Sequence, residues 1–190
     1  RVGRPTENVV IRFNRTAHGH GGAVLGSDMS GDIRNVYVHS CVFEGTDLGV
    51  RLKSTRGRGG IVERLWFENI HMRDIQREAF QISTDYSAWM GTTEGKAPLF
   101  RDLSFRGIRV DGARYAARIT GLPEALVQSV RFQDVSITAK EGFQARLANG
   151  IELDGVTVRV EEGPPFQWVE CEGVRVNGEA VPSAPPPGGK

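Results

Sequence analysis

Cysteine is scarce in this chain of 190 residues, which contains only Cys41 and Cys171. The two lie far apart and have no cysteine neighbour, so the sequence indicates neither a disulfide framework nor a zinc knuckle. Free cysteine is most often a buried, small apolar residue. We therefore expect both side chains in the core.

Long apolar runs and an excess of one charge are absent as well. No stretch reaches the roughly 18 apolar residues of a membrane span, and residues 1–5 lack the apolar segment of a signal peptide. Lys and Arg number 24 against 23 Asp and Glu, which gives a net charge of +1. Such a balance gives no general attraction to nucleic acid. We expect no membrane partner and no nucleic-acid partner, and any basic site must be local.

The sequence does contain a repeat. A template of apolar-x-apolar, two polar or small residues, then apolar-x-apolar returns at intervals of 21 to 38 residues. The alternation has the period of two that a β-strand requires, and the polar pair predicts a bend between two short strands. Repeats of about 20 to 50 residues are typical of solenoids, propellers and arrays. The first apolar positions of the copies are Val9, Val36, Leu65, Leu103, Val130, Ile151 and Val174.

The repeat predicts an all-β fold, a right-handed single-stranded parallel β-helix. No segment of ten residues has the helical period, which argues against an α-solenoid, and a propeller blade would need about 40 residues. Apolar residues at equivalent positions should stack from coil to coil. Two of these ladders should be Val9, Val36, Leu65, Leu103, Val130, Ile151 and Ile11, Val38, Phe67, Phe105, Phe132, Leu153.

We expect the coils to occupy residues 1–180 and the Pro/Gly-rich tail, residues 181–190, to be disordered. The chain does not begin with methionine, and nothing in its first residues would cap an exposed β-helix end. We therefore expect the chain to be truncated at its N-terminus and to begin within a longer protein.

Two short segments carry candidate functional residues. His18 and His20 alternate around Gly19, and about one repeat later Arg51 and Lys53 are also two residues apart. Neighbouring coils are spaced by roughly 4.8 Å. The four side chains should therefore share one patch on the outer surface.

These segments resemble motifs of glycoside hydrolase family 28, the polygalacturonases. The family carries Asn-x-Asp, Asp-Asp, Gly-His-Gly and Arg-x-Lys in that order, and this chain has Gly19-His20-Gly21 and Arg51-Leu52-Lys53 at a typical spacing. Tyr86 is similar in position to the family's substrate-contacting tyrosine. The two aspartate motifs should precede His20 by a coil or more and are not present. The resemblance covers residues 5 to about 178.

The resemblance implies a pectin-lyase-like solenoid and inverting hydrolysis of α-1,4-galacturonosyl bonds, in which two carboxyl groups stand about 6.5–9.5 Å apart. It implies a catalytic role for His20 beside the acid, and substrate binding by Arg51, Lys53 and Tyr86. It further implies an acidic polysaccharide (pectin or oligogalacturonate) as partner. We expect no cofactor and no metal. A monomer that is secreted or periplasmic is expected, with the catalytic aspartates upstream of the chain and the isolated chain inactive.

Other interpretations remain open. His18 and His20 form a His-x-His pair, but the outside candidates for a metal site, Asp28, His39 and His71, should not converge with it. The loop carboxylates, Asp28, Asp32, Asp47 and Asp85, are more typical of loop hydrogen bonding than of replacement acids. Trp89 is a candidate sugar platform, whereas Trp66 should face outward on a coil.

Two other function classes are compatible with this fold. One is a non-catalytic β-helix module that binds acidic polysaccharide, and the other is a polysaccharide lyase, which usually depends on calcium. Upstream aspartate motifs would favour the hydrolase over the module, and insensitivity to a chelator would count against the lyase.

Overall fold

The computed structural model describes residues 3–29, 31–86 and 94–186. These residues form 14 strands and no helix, and almost all strand pairs are parallel. The strands are β1 (Thr6–Arg12), β2 (Arg15–Ala17), β3 (Ala23–Gly26), β4 (Ile33–Glu44), β5 (Val50–Lys53), β6 (Ile61–Ser83), β7 (Leu99–Thr120), β8 (Val127–Ala139), β9 (Glu141–Arg146), β10 (Ala148–Asp154), β11 (Thr157–Val160), β12 (Phe166–Val169), β13 (Arg175–Val176) and β14 (Glu179–Ala180).

The chain is a right-handed parallel β-helix, as the repeat predicted. Its coils have three sides, which we call the first, second and third sheets. The first contains β1, β10, β13 and the beginnings of β4, β6, β7 and β8. The second contains β2, β11 and the following parts of β4, β6, β7 and β8. The third contains β3, β5, β9, β12 and the ends of β6 and β7.

The predicted ladders are confirmed. On the first sheet Val9 pairs with Val36, and the register continues through Leu65, Leu103, Val130 and Ile151. The second ladder holds as well, and its phenylalanine rings stack at centroid distances of 5.0 Å (Phe67 and Phe105) and 4.5 Å (Phe105 and Phe132). Such pairs contribute about 0.5–1.5 kcal/mol beyond the area that they bury. The same type of apolar side chain recurs at the same inward position of successive coils, and the stacking of these side chains therefore holds the coils in register.

The polar pair of each copy is a bend, as predicted, with positive φ at Ser40 (54°), Asn69 (51°), Gly107 (61°), Asp134 (53°) and Gly155 (62°). A second set of stacked residues, directly before the first apolar position of each copy, also has positive φ: Asn8 (58°), Asn35 (55°), Arg64 (53°), Asp102 (54°) and Ser129 (52°). Asn and Asp tolerate this left-handed conformation better than most residues. The Asn35 side chain donates a hydrogen bond to Asn8 Oδ1 at 3.0 Å and accepts one from Arg64 Nε at 2.8 Å. Polar stacking thus marks the corner, and apolar stacking fills the interior.

Both cysteines are buried and free, as expected. Two apolar side chains of the first coil are exposed: Phe13 is 73% and Val10 is 60% exposed. In the described part of the chain there is no helix long and apolar enough to cross a membrane.

The last coil is followed by the antiparallel pair of β13 and β14. Beyond it, Ala184 N donates to Trp168 O at 2.9 Å, and Ser183 Oγ accepts from Cys171 N at 2.8 Å. The first residues of the expected tail therefore contact the preceding coils. The division at residue 180 stays a prediction, and residues 187–190 lie outside the described part.

Candidate functional site

Glycines at one corner place the histidine motif against the next coil. Gly22 N donates to the carbonyl oxygens of Leu48 and Gly49, both at 3.0 Å. A Cβ atom on Gly22 would overlap the ring of Phe43. The close approach requires glycine, and it sets β3 beside β5 so that His20 comes next to the Arg-x-Lys segment.

His20 contacts a carboxylate on one side and a guanidinium on the other. Its Nδ1 lies 3.0 Å from Asp47 Oδ2, and its Nε2 lies 2.6 Å from Arg51 Nη1. A guanidinium only donates hydrogen bonds. His20 Nε2 must therefore be the acceptor, and the proton of the neutral ring lies on Nδ1, from which it is donated to Asp47.

Arg51 is the centre of this group. Its Nε donates to Gln81 Oε1 at 2.6 Å while Nη1 donates to His20. The residue is only 6% exposed. Burial lowers the pKa of the Arg51 guanidinium, and the nearby Tyr86 is the largest opposing influence on that pKa. Arginine has a pKa far above neutrality, so a positive charge is held here with little water around it.

Lys53 lies on the same outer face as Arg51, two residues further along β5. Its Nζ is 4.4 Å from the centroid of the Tyr86 ring, and Arg51 Cζ is 5.2 Å from the same centroid. Both are cation–π contacts, worth about 0.5–2 kcal/mol depending on exposure. Among the described residues, neither cation has a carboxylate oxygen within ion-pair distance. The pair is therefore complementary to an anion.

A network of contacts fixes the segment that carries Tyr86. Tyr86 N donates to Ser54 O at 2.9 Å. Arg56 makes two hydrogen bonds to Glu124, at 2.6 and 3.0 Å, and lies 3.8 Å from Asp85. This bidentate pair ties the loop after β5 to the loop after β7, and Asp85 and Tyr86 lie beside it.

The structure brings together four residues that the sequence predicted: His20, Arg51, Lys53 and Tyr86. It does not bring His18 into the group, because His18 has a φ of 61° and its ring lies beside Gly45. The expectation of four side chains on one patch was therefore wrong for His18. Trp89 lies outside the described residues.

Two residues of the group were not predicted as part of the site. Asp47 was interpreted as a loop carboxylate, yet it contacts His20. Gln81 pairs in register with Arg51, so the strand alignment could have indicated it. Within the described ranges, no cluster of three or more His, Cys, Asp or Glu side chains has the geometry to hold a metal ion.

The chain is thus a parallel β-helix in which a histidine, two cations and a tyrosine meet at one outer face, and this places it in the class of solenoid proteins with an anion-complementary site. The comparison with protein families is more specific. The model of glycosyl hydrolases family 28 matches residues 2–158, and the chain belongs to this family.

Known proteins of the family are similar along most of the chain. It is 32% identical over 191 aligned positions to an exo-poly-α-D-galacturonosidase of Dickeya chrysanthemi, which covers 93% of this chain and 31% of that protein. The solved family 28 exopolygalacturonase of Yersinia enterocolitica has a TM-score of 0.77 at 23% identity, covering 93% of this chain and 32% of the other. That of Thermotoga maritima has a TM-score of 0.68 at 25% identity, covering 94% and 36%. The chain thus spans about a third of the length of these relatives.

Proposed function

We propose that this chain contributes to a polygalacturonase-like, pectin-degrading glycoside hydrolase that cleaves α-1,4-galacturonosyl bonds with inversion. The observation that carries the proposal is the pairing of Arg51 and Lys53 beneath Tyr86, with no carboxylate partner among the described residues. Galacturonate is an anion, and its polymer presents a carboxylate on every sugar. A site with two uncompensated cations suits such a ligand.

Lys53 is the residue that makes direct contact with the sugar carboxylate in this proposal. Arg51 is nearly buried, so it adds positive potential and presents only an edge to the ligand. Tyr86 covers both cations and offers its ring to the sugar face. Removal of water by the bound sugar strengthens these charge interactions.

We propose that His20 acts in catalysis by orienting Arg51 beside the reacting centre, because its Nε2 accepts from Arg51 while Asp47 fixes its tautomer. Hydrolysis also requires an acid and a base, about 6.5–9.5 Å apart in inverting enzymes. We propose that these are aspartates outside the 190 residues, since the chain matches only about a third of its relatives. The isolated chain would then bind the substrate without cleaving it.

Pectin is a polymer outside the cell, so action on it implies a secreted or periplasmic enzyme. A monomer suffices for the proposed site, because all four of its predicted residues come from one chain.

Binding of trigalacturonate, measured by titration calorimetry at low salt, tests the carboxylate subsite. The Lys53→Gln variant should lose tenfold or more in affinity, because the charge is removed from a half-buried position. Lys140→Gln is the control, since Lys140 is exposed and paired with Glu162. Equal affinities of wild type and Lys53→Gln would overturn the proposal.

The chemistry is tested on a protein that contains this chain within its whole length. A hydrolase releases saturated reducing ends from polygalacturonate, and a lyase releases unsaturated products. Release of unsaturated products would favour the lyase alternative, and binding without any cleavage would favour the non-catalytic module.

A further inference from the structure

The outward side chains of the third sheet form two rows that continue well beyond the candidate site. In the first row Arg51 pairs in register with Gln81. The row continues, one residue per coil, through Arg118, Gln144 and Gln167. The parallel row runs Lys53, Ser83, Thr120 and Arg146. These nine positions contain four cations, three amides and two hydroxyls, and no carboxylate.

The other two sheets differ. On the first sheet one outer row alternates in sign along Glu7, Arg34, Glu63 and Arg101. Its members pair across coils, with distances of 2.6 Å for Arg34 to Glu7 and for Arg101 to Glu63. The second sheet has the row Glu44, Arg73 and Asp111. Cations and carboxylates alternate within these rows, whereas the two rows of the third sheet contain cations and no carboxylate; the carboxylates that contact Arg118 and Arg146, Glu78 and Glu170, lie beside the rows.

Arg118 and Arg146 border a concavity of about 330 Å³ on the third sheet, with Gln144 between them. This volume is at the lower end of the roughly 300–1,000 Å³ of small-molecule sites. Arg118 Cζ lies 3.5 Å from the centroid of the Tyr115 ring, and its Nη1 lies 3.6 Å from Oε1 of the buried Glu78. The guanidinium is thus held in place from below, while its side chain stays 41% exposed.

Arg146 is the more accessible of the two, with its side chain 54% exposed. Its Nε donates to Glu170 at 2.8 Å. A guanidinium has five N–H donors, so the two terminal nitrogens keep donors for a ligand. Arg118 and Arg146 are therefore oriented and still open to an anion.

We propose that Arg118, Gln144 and Arg146 form a second carboxylate-binding position for the same anionic polysaccharide. The proposal rests on the proposed function, because Arg51 and Lys53 would bind the first carboxylate. With about 4.8 Å between coils, Arg118 lies about 10 Å and Arg146 about 14 Å along the solenoid axis from the first position. The ligand is an extended oligouronate that lies along the axis of the helix, with at least two of its carboxylates bound.

The test compares trigalacturonate with hexagalacturonate by titration calorimetry at low salt. Wild type should bind the hexamer at least tenfold more tightly than the trimer. Arg146→Gln should lose most of this gain and keep its trimer affinity. Arg131→Gln is a matched control, because Arg131 is 55% exposed and is paired with Asp154 at 3.0 Å, but lies on the first sheet; it should keep both affinities.

Gln144→Glu provides a second variant that does not remove a packed arginine. Its new carboxylate should repel the hexamer and leave the trimer unaffected. Equal affinities of trimer and hexamer in wild type, or equal losses in Arg146→Gln and Arg131→Gln, would overturn the second position and leave the first intact. Absence of trimer binding with retained, Arg146-dependent hexamer binding would overturn the first position instead.

Discussion

Asp47 and His20 face each other across two neighbouring coils, with Oδ2 and Nδ1 3.0 Å apart. The contact fixes the tautomer of the imidazole, because Arg51 occupies its other nitrogen. A carboxylate that was expected to serve only its own loop thus orients the residue with the proposed catalytic role.

Asp47→Asn should weaken trigalacturonate binding by about three- to tenfold. The amide would hold His20 less firmly than the carboxylate does, and His20 would in turn hold Arg51 less firmly. The loss should stay below the roughly 1.5–3 kcal/mol that a hydrogen bond to a charged group contributes. Asp102→Asn is a matched control, since both carboxylates are 51% exposed and Asp102 lies on the first sheet. Calorimetry measures both. A similar loss in the two variants would mean that Asp47 does not act through His20.

Glu124→Gln should reduce oligogalacturonate affinity without a large fall in melting temperature. The variant weakens the bidentate pair with Arg56 that stands beside the Tyr86 segment, and Tyr86 would cover the two cations less completely. Glu152→Gln is the control, because both glutamates are 49% exposed and paired with an arginine. Unchanged binding in Glu124→Gln would show that the loop pair does not position Tyr86.

Phe105→Ala should reduce the free energy of unfolding by about 3–5 kcal/mol, the usual cost of removing a buried phenylalanine. Phe105 is fully buried and contacts the rings of Phe67, Phe80 and Phe132. Phe13→Ala serves as the control, since Phe13 is 73% exposed, and it should change stability little. Denaturant unfolding gives both values, and equal midpoints would contradict the ladder.

Stability should fall in acid partly through Glu63. A hydrogen bond from Arg101 lowers the pKa of Glu63 more than any other interaction, with Arg64 acting in the same direction. A carboxyl group whose pKa is lower in the folded state stabilises the fold above its unfolded pKa of about 4.3, and this contribution disappears as the pH falls through the folded pKa.

Glu63→Gln should therefore melt at a lower temperature than wild type near neutral pH, and the gap should close in acid. Thermal melts from neutral pH to below the unfolded pKa measure the difference. The exposed Glu161 provides the control variant, Glu161→Gln. A gap that stays constant over the whole range would show that the Arg101 contact does not couple folding to protonation of Glu63.

Much of the fold could be predicted from the sequence because a β-helix repeats its own environment. The positions that stack, such as Val36 on Val9, share one periodic pattern, and the bends share residues that accept positive φ. The site was predictable only where a motif carried it. His20 and Arg51 were found in this way, whereas Asp47 required knowledge of which side of the corner its side chain takes.

Contacts between distant loops were beyond the sequence. Arg56 and Glu124 are 68 residues apart, and both lie in irregular segments where no period links them. Likewise, the second position at Arg118 and Arg146 depends on the bulge between Ile75 and Glu78, which sets the alignment of β6 with β7 on the third sheet. Register after a bulge is a property of the folded coils and is not visible in the spacing of apolar residues.

The stacked left-handed bends, such as Asn8 and Asn35, have a consequence for how such a protein can change over evolutionary time. A coil can lengthen at a corner without disturbing its neighbours, since β6 ends at Ser83 and β7 begins at Leu99 while the two strands stay paired in register. A single insertion between two bends, by contrast, would turn the following side chains of that strand to the opposite face unless a bulge absorbs it. Differences in length among homologues should therefore lie mainly at corners. Whole coils should also be exchangeable between family members, because each coil keeps its own pattern of inward and outward side chains.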